Sequence, residues 1–227
     1  MEEKKLHRPI TITLDGPVAS GKTAVGKLVA ERLDCRFLDT GMMYRAVTYA
    51  AQQRGVNLED PEGLVELAER LDMRLTAANG EDRLTTDGED VTGKLRSPEV
   101  ERGVSLVARV PGVRRAMVSQ QRAIAGEEPI VMAGRDIGTV VLPDAPTKVF
   151  LTASVAERAR RRHMEMERQG RIVAYEQVVA GLQRRDKIDS ERDDSPMRPA
   201  KDAAVLNTDE KTIQEIVEQI VSLIGRD

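Results

Sequence analysis

Apolar positions along the chain alternate between two periods. Residues 10–14 (ITITL) are β-branched and apolar and stop at Asp15-Gly16-Pro17, which predicts a short buried strand. Val25, Leu28, Val29 and Leu33 then recur at i, i+3, i+4 and i+8, the spacing of one helix face. Residues 35–38 predict a second strand, with Cys35 as a small core residue in it. Helical spacing follows from about Gly41 to Gln53. Strand–helix–strand–helix predicts an α/β fold on a parallel sheet.

The pattern then changes character. Asp60-Pro61 is an N-cap followed by Pro at the first helical position, opening a short helix to about Leu71. Residues 72–93 alternate in short stretches around turn signals at Asn79-Gly80 and Asp87-Gly88, which predicts a small antiparallel sheet. Ser97-Pro98-Glu99 caps another helix, and Pro111 opens one that reaches about Ala125. The α/β rhythm returns with apolar runs at 130–133 (IVMA) and 147–152 (TKVFLT). Ser154-Val155-Ala156-Glu157 reads as a capping box, opening a helix that carries Arg158, Arg160, Arg161, Arg162 and Arg168 and ends at Gly170. A further helix is predicted from about Ala174 to Ser190 and a strand at 203–206. A final helix packs the stripe Ile213, Ile216, Val217, Ile220, Val221 and Ile224 into the core.

Composition narrows the reading. With 227 residues the chain is one domain, or one domain carrying an insertion. The formal charge is −3, with 35 Lys and Arg against 38 Asp and Glu, so general nucleic-acid binding is not expected. Three Tyr, two Phe and no Trp leave no surface for stacking successive bases. The single cysteine excludes an internal disulfide and a multi-Cys zinc site. His7 and His163 are too far apart in sequence to predict a His-based centre. The start, MEEKKLHRP, is charged, and the apolar run after it is too short for a signal or membrane segment. No membrane association and a cytoplasmic location are expected.

Four runs carry chemistry. Gly16-Pro17-Val18-Ala19-Ser20-Gly21-Lys22-Thr23 fits G-x-x-x-x-G-K-[ST]. Its glycines let backbone N–H groups turn inward on phosphate oxygens, Lys22 reaches the β- and γ-phosphates, and the Thr23 hydroxyl ligates Mg2+. Following a strand and opening a helix, it predicts a nucleoside-triphosphate site. Asp39-Thr40-Gly41-Met42-Met43-Tyr44-Arg45 sits at the end of the second strand, where ligand clefts of parallel sheets lie. Thr40, Tyr44 and Arg45 fall on one helical turn; the bland alternative is Thr40 as N-cap and Arg45 as solvated charge. Gly134-Arg135-Asp136-Ile137-Gly138-Thr139 follows another strand, and is either functional or a surface ion pair in a turn. Arg185, Asp189 and Arg192 recur at i, i+4, i+7 on one helix face, a ligand face or solvated surface.

Together these runs resemble the bacterial-type cytidylate kinases, nucleoside-monophosphate kinases of the P-loop class. The resemblance covers ITLDGPVASGKT, LDTGMMYRAV, GRDIGTVVLPDAPTKVFL, RRDKIDSERDDSP and AVLNTDE, essentially the whole chain. It implies a P-loop NTPase-type three-layer α/β sandwich, with residues 1–59 and 107–227 as kinase core, 60–106 as a small monophosphate-binding α+β insertion, and an Arg-rich lid at about 158–172. It implies transfer from ATP with Mg2+ to CMP and dCMP. Gly16, Ser20, Gly21, Lys22 and Thr23 would bind ATP. Thr40, Tyr44, Arg45, Arg135 and Arg192 would hold the CMP phosphate. Ser105, Arg114 and Asp136 would read the cytosine edge, and Arg185 and Asp189 would hold the sugar. Lys22, Arg158, Arg162 and Arg192 would act on the transferring group. A monomer with nucleotide partners only is expected. The residue before Gly134, commonly acidic in that family, is Ala133 here, which leaves Asp39 or Asp136 beside the ion.

Three other readings compete on the residues alone. A kinase of a hydroxylated metabolite would use Asp39 as base. An ATP-dependent switch protein would transfer nothing to a monophosphate. A nucleic-acid binder would use the Arg-rich helix. Met42 and Met43 are expected to fill packing gaps.

Overall fold

The computed structural model describes residues 10–78, 81–126 and 128–224. Five strands, β1 (Thr11–Asp15), β2 (Arg36–Asp39), β6 (Ile130–Gly134), β7 (Thr147–Thr152) and β8 (Ala204–Asn207), form one parallel sheet in the order β2-β6-β1-β7-β8. Because strand residues alternate between faces, each strand supplies two layers. Ile12, Leu14, Val131, Ala133, Val149 and Leu151 pack with Val25 and Val29 of α1 (Lys22–Arg32) and with Ile216, Val217 and Ile220 of α8 (Ile213–Val221). Leu38, Ile130 and Met132 face the other way. They pack against α2 (Thr40–Gln53), α3 (Pro61–Arg70), α4 (Pro98–Ala108) and α5 (Pro111–Ala125). The parallel α/β sheet is the one the rhythm of the sequence predicts, and the three-layer sandwich is the one the resemblance implies.

A second, antiparallel sheet consists of β3 (Met73–Ala78), β4 (Glu81–Thr86) and β5 (Glu89–Asp90). Asp87 and Gly88 both take positive φ, +50° and +86°, the conformation of a two-residue hairpin turn. The predicted Asn79-Gly80 turn lies outside the described residues, as does His7. Leu84 of this sheet, with Val91 and Leu95, packs on Ala46 of α2, and partly buried Met42 fills that seam; Met43 is fully inside the main core. Both methionines therefore fill gaps, as expected. A helical pair, α6 (Val155–Arg168) and α7 (Tyr175–Ser190), is joined through Ala159, Val178 and Leu182.

Three local expectations are corrected. Ser154 caps α6 by accepting from Glu157 N at 3.2 Å, but the box does not close. The Ser154 N–H donates instead to Asp209 at 3.0 Å, and the Glu157 carboxylate is taken by Arg160 and Arg161. A closed box forms at Thr212 and Glu215. Ile213 is 46% exposed at the start of α8 and lies off the buried stripe. Cys35 is only half-buried, precedes β2, and donates its thiol to the Leu33 carbonyl. Among the described residues no helix is long and apolar enough to cross a membrane.

Candidate active site

The three motif loops leave three adjacent strands at their carboxyl ends. Asp15 of β1 is in register with Gly134 of β6, and Ala133 with Asp39 of β2. The loops that follow therefore line one cavity of about 510 Å3, between the sheet, α4 and α6. That is the scale of a small-molecule site.

At one end lies the glycine loop. Gly16 has φ +143°, and a Cβ there would sit 2.0 Å from the Leu151 carbonyl oxygen, so no other residue fits. Ala19 and Gly21 also take positive φ, and α1 starts at Lys22 with no side chain capping it. That leaves the first N–H groups of the helix aimed at the cavity, a receptive place for an anion. Lys22 is buried, and its ammonium donates to the Gly16 and Pro17 carbonyls, each at 2.7 Å. Burial, and then the nearby Arg135 guanidinium, hold its pKa well below the usual lysine range. The Thr23 hydroxyl donates to Asp39 Oδ2 at 2.9 Å. The other Asp39 oxygen caps α2 by accepting from Gly41 N at 3.0 Å, so Asp39, not Thr40, is the N-cap.

At the other end lie the residues of the other three runs. Thr40 is buried and donates to the Ala133 carbonyl at 2.9 Å, which pins α2 to β6. Tyr44, one turn on, carries the Arg114 guanidinium 5.4 Å from its ring centre, and burial pushes its hydroxyl up to about 12. Arg114 pairs with Asp136, the two side chains 3% and 6% exposed. Arg135 pairs with Asp189 at 2.9 Å. Arg135 and Asp136 are therefore not a turn ion pair; each turns to a different partner. Arg192 lies beyond the end of α7 rather than on its face, yet stands 3.8 Å from Asp189 and 3.9 Å from Asp136. Arg45 and Arg185 each keep a buried Nε without a hydrogen-bond partner. Burial lowers both, and the neighbouring Arg135 and Arg45 help bring Arg185 down to about 10. The guanidiniums of Arg45, Arg135 and Arg185 stand close enough to repel one another.

The cavity wall holds ten Lys and Arg side chains against four carboxylates, Asp39, Asp136, Glu165 and Asp189. In a chain of net charge −3, that concentration marks a polyanion site. Of the residues expected from sequence, Gly21, Lys22, Thr23, Thr40, Tyr44, Arg45, Ser105, Arg114, Arg135, Asp136, Arg162, Arg185, Asp189 and Arg192 line it. Gly16 and Ser20 lie behind the loop's surface. Arg158 does not reach the cavity. Its guanidinium is buried between Asp186 at 2.7 Å, the Ala153 carbonyl and the Val18 carbonyl of the glycine loop. Arg161, one turn further along α6, lines the cavity instead and bonds both oxygens of Thr208. Among the described residues no cluster of three or more His, Cys, Asp or Glu forms a metal cage.

A protein-family model described as cytidylate kinase matches residues 12–226. The chain is 43% identical to the cytidylate kinase of Bacillus subtilis strain 168, over 96% of this chain and 98% of that protein. It is 48% identical to the bifunctional pantoate ligase/cytidylate kinase of Synechococcus sp. strain JA-3-3Ab, over 97% of this chain. The chain spans only 41% of that protein's length. Among solved structures, a gluconokinase from Sinorhizobium meliloti 1021 shares the fold with a TM-score of 0.51 at 15% identity, covering 96% of this chain and 93% of its own.

Proposed function

The chain belongs to the cytidylate kinase family, and from that premise we propose that it transfers the terminal phosphoryl group of ATP to CMP and dCMP. One observation carries the reading: a single cavity joins the glycine loop to a surplus of buried guanidiniums, as two phosphate chains require. The rival hydroxyl-acceptor reading needs Asp39 as a base. That reading leaves the surplus of guanidiniums in the cavity wall without a purpose. The test is purified protein with Mg-ATP and each common nucleoside monophosphate, scored for ADP and nucleoside diphosphate. CMP and dCMP are expected to turn over fast and AMP and GMP slowly. Equal use of all four would sink the reading.

The acceptor oxygen of CMP needs no base, because a phosphate monoester loses its second proton near a pKa of about 6. The barrier is charge, so the residues act by position and sign. Residues of the glycine loop and Lys22 hold the triphosphate. Thr40, Tyr44, Arg45, Arg135 and Arg192 hold the acceptor phosphate, and Arg185 and Asp189 the sugar. Asp136 accepts from the cytosine amino group while Arg114 donates to N3 and O2, a pairing that ordinary donor and acceptor counts allow. Residues 60–106 form the monophosphate-binding insertion, and 158–172 the lid, whose Arg161 and Arg162 face the phosphates.

The donor set fits Mg2+: a hydroxyl and a carboxylate, Thr23 and Asp39, stand 2.9 Å apart at the loop's edge, and this ion takes few protein ligands beside phosphate oxygens and water. Bound there, the ion would neutralise charge on the triphosphate.

A further inference from the structure

Asp15 ends β1 immediately before the glycine loop, 3% exposed, and no nucleotide role reaches it. Its two carboxylate oxygens accept from Ile137 N and Gly138 N, each at 2.8 Å. These are the first N–H groups of a single π-helical turn, Ile137–Val141, which directly follows Asp136. Without Asp15 they would be buried donors with no partner. The backbone at Asp136 (φ −145°, ψ 25°) has to bend there to bring its carboxylate onto Arg114.

We propose that Asp15 is a positioning residue for cytosine recognition: by clamping Ile137 and Gly138 it sets the direction in which Asp136 meets Arg114. The inference rests on the assignment of Asp136 to the base edge. It also gives the two substrate loops a common anchor, since the residue that aims Asp136 is bonded to Gly16.

The clamp titrates. Burial pushes Asp15 up to about 6, with Asp136 adding to the rise, while the two N–H bonds and Lys22 oppose it. The stem of Lys148, paired to Asp202, packs beside Gly138 on the same side. A protonated carboxyl keeps one acceptor oxygen and turns a hydroxyl toward the other N–H. The chain then loses one of the two bonds as pH falls through about 6.

The test is Asp15→Asn, which imposes the protonated pattern at every pH. KM for CMP at about pH 8 is expected to rise roughly tenfold, as for loss of one hydrogen bond to a charged group, with KM for ATP within about twofold. The ratio of variant to wild-type KM for CMP should shrink toward one by about pH 5, because the wild type then carries the same proton. Taking that ratio cancels the titration of the CMP phosphate itself. A ratio that is flat with pH, an unchanged KM for CMP, or an equal rise for ATP would overturn the proposal. If the variant does not fold, affinity of the wild type for cytidine, which has no phosphate to titrate, is measured instead. It should weaken below about pH 6, and a flat profile overturns the proposal. Asp136→Ala separates the two layers. If it leaves KM for CMP unchanged, the base-edge assignment fails; if it raises KM while Asp15→Asn does not, only the clamp fails.

Discussion

Lys22, which the proposed function sets against the triphosphate, sits in the fold at a cost. Its ammonium is buried and satisfied by two carbonyls, yet burial and Arg135 depress its pKa, so the folded chain holds that proton less readily than the unfolded chain. The sign follows from linkage: stability contributed at this site rises as pH climbs from the depressed value toward 10.5. Lys22→Ala should therefore do two opposite things. Phosphoryl transfer to any acceptor falls by about 10²–10³-fold, as for removal of one preorganised donor. The denaturation midpoint stays level or rises, because a costly buried charge is gone. Steady-state kinetics beside a urea titration reads both; a variant that lost stability along with activity would contradict this account. Arg45 and Arg185 belong to the same class, since each carries a buried Nε without a hydrogen-bond partner.

At the scale of elements, the most consequential contact is one that helical spacing alone does not reveal. Arg158 and Arg162 share a face of α6 by spacing, but the first turn of that face is buried against α7. Arg158 therefore becomes a brace, tying the glycine loop through Val18 to α7 through Asp186, next in sequence to Arg185. Arg158→Ala leaves Asp186 without its cation, one of whose oxygens already lacks a partner, and should cost about 3 kcal/mol in urea unfolding. Arg158→Met with Asp186→Leu should recover part of that, because an apolar pair of similar volume avoids the lone charge. What was legible in the sequence follows the range of the interactions. The caps at Asp60 and Ser97 were readable because their partners lie within three residues, and strands and helices because each declares its own period of apolar positions. The box at Ser154 misled because Asp209, 55 residues away, takes the N–H that would have closed it. Arg161 went unmarked because only the packing of α6 on α7 decides which arginine faces the cavity. The motif loops were legible because each follows a strand, and parallel strands deliver their ends to one edge.

Across the whole molecule, the cavity has two walls that are far apart in sequence, and charge joins them over its mouth. Glu101 on α4, 12% exposed, takes Arg162 from α6 and Arg171 from the loop after it, while Arg96 reaches Glu165. Burial pushes Glu101 upward, but the two guanidiniums outweigh it and hold its pKa below the usual range. For a depressed carboxylate the contribution is present above the ordinary value of 4.5 and is lost as pH falls through the lower folded one, so the bridge is complete at neutral pH. Arg162, which also pairs with Glu165 at 2.7 Å, can thus exchange Glu101 for whatever anion enters beside it, and the wall carrying Glu101 is the one that receives the monophosphate in the proposed function. Glu101→Gln keeps the shape and removes the charge. Because Glu101 and Arg162 are only 12% and 13% exposed, removing the charge should cost about 2 kcal/mol and lower the thermal midpoint by about 4–8 °C. Because the proposed function seats both nucleotides between those walls, KM for ATP and KM for CMP should rise together, by about three- to tenfold. Raising salt should narrow the gap between variant and wild type, since partly exposed ion pairs are screened. A rise in KM for one nucleotide alone would mean that Glu101 serves one wall and does not couple them.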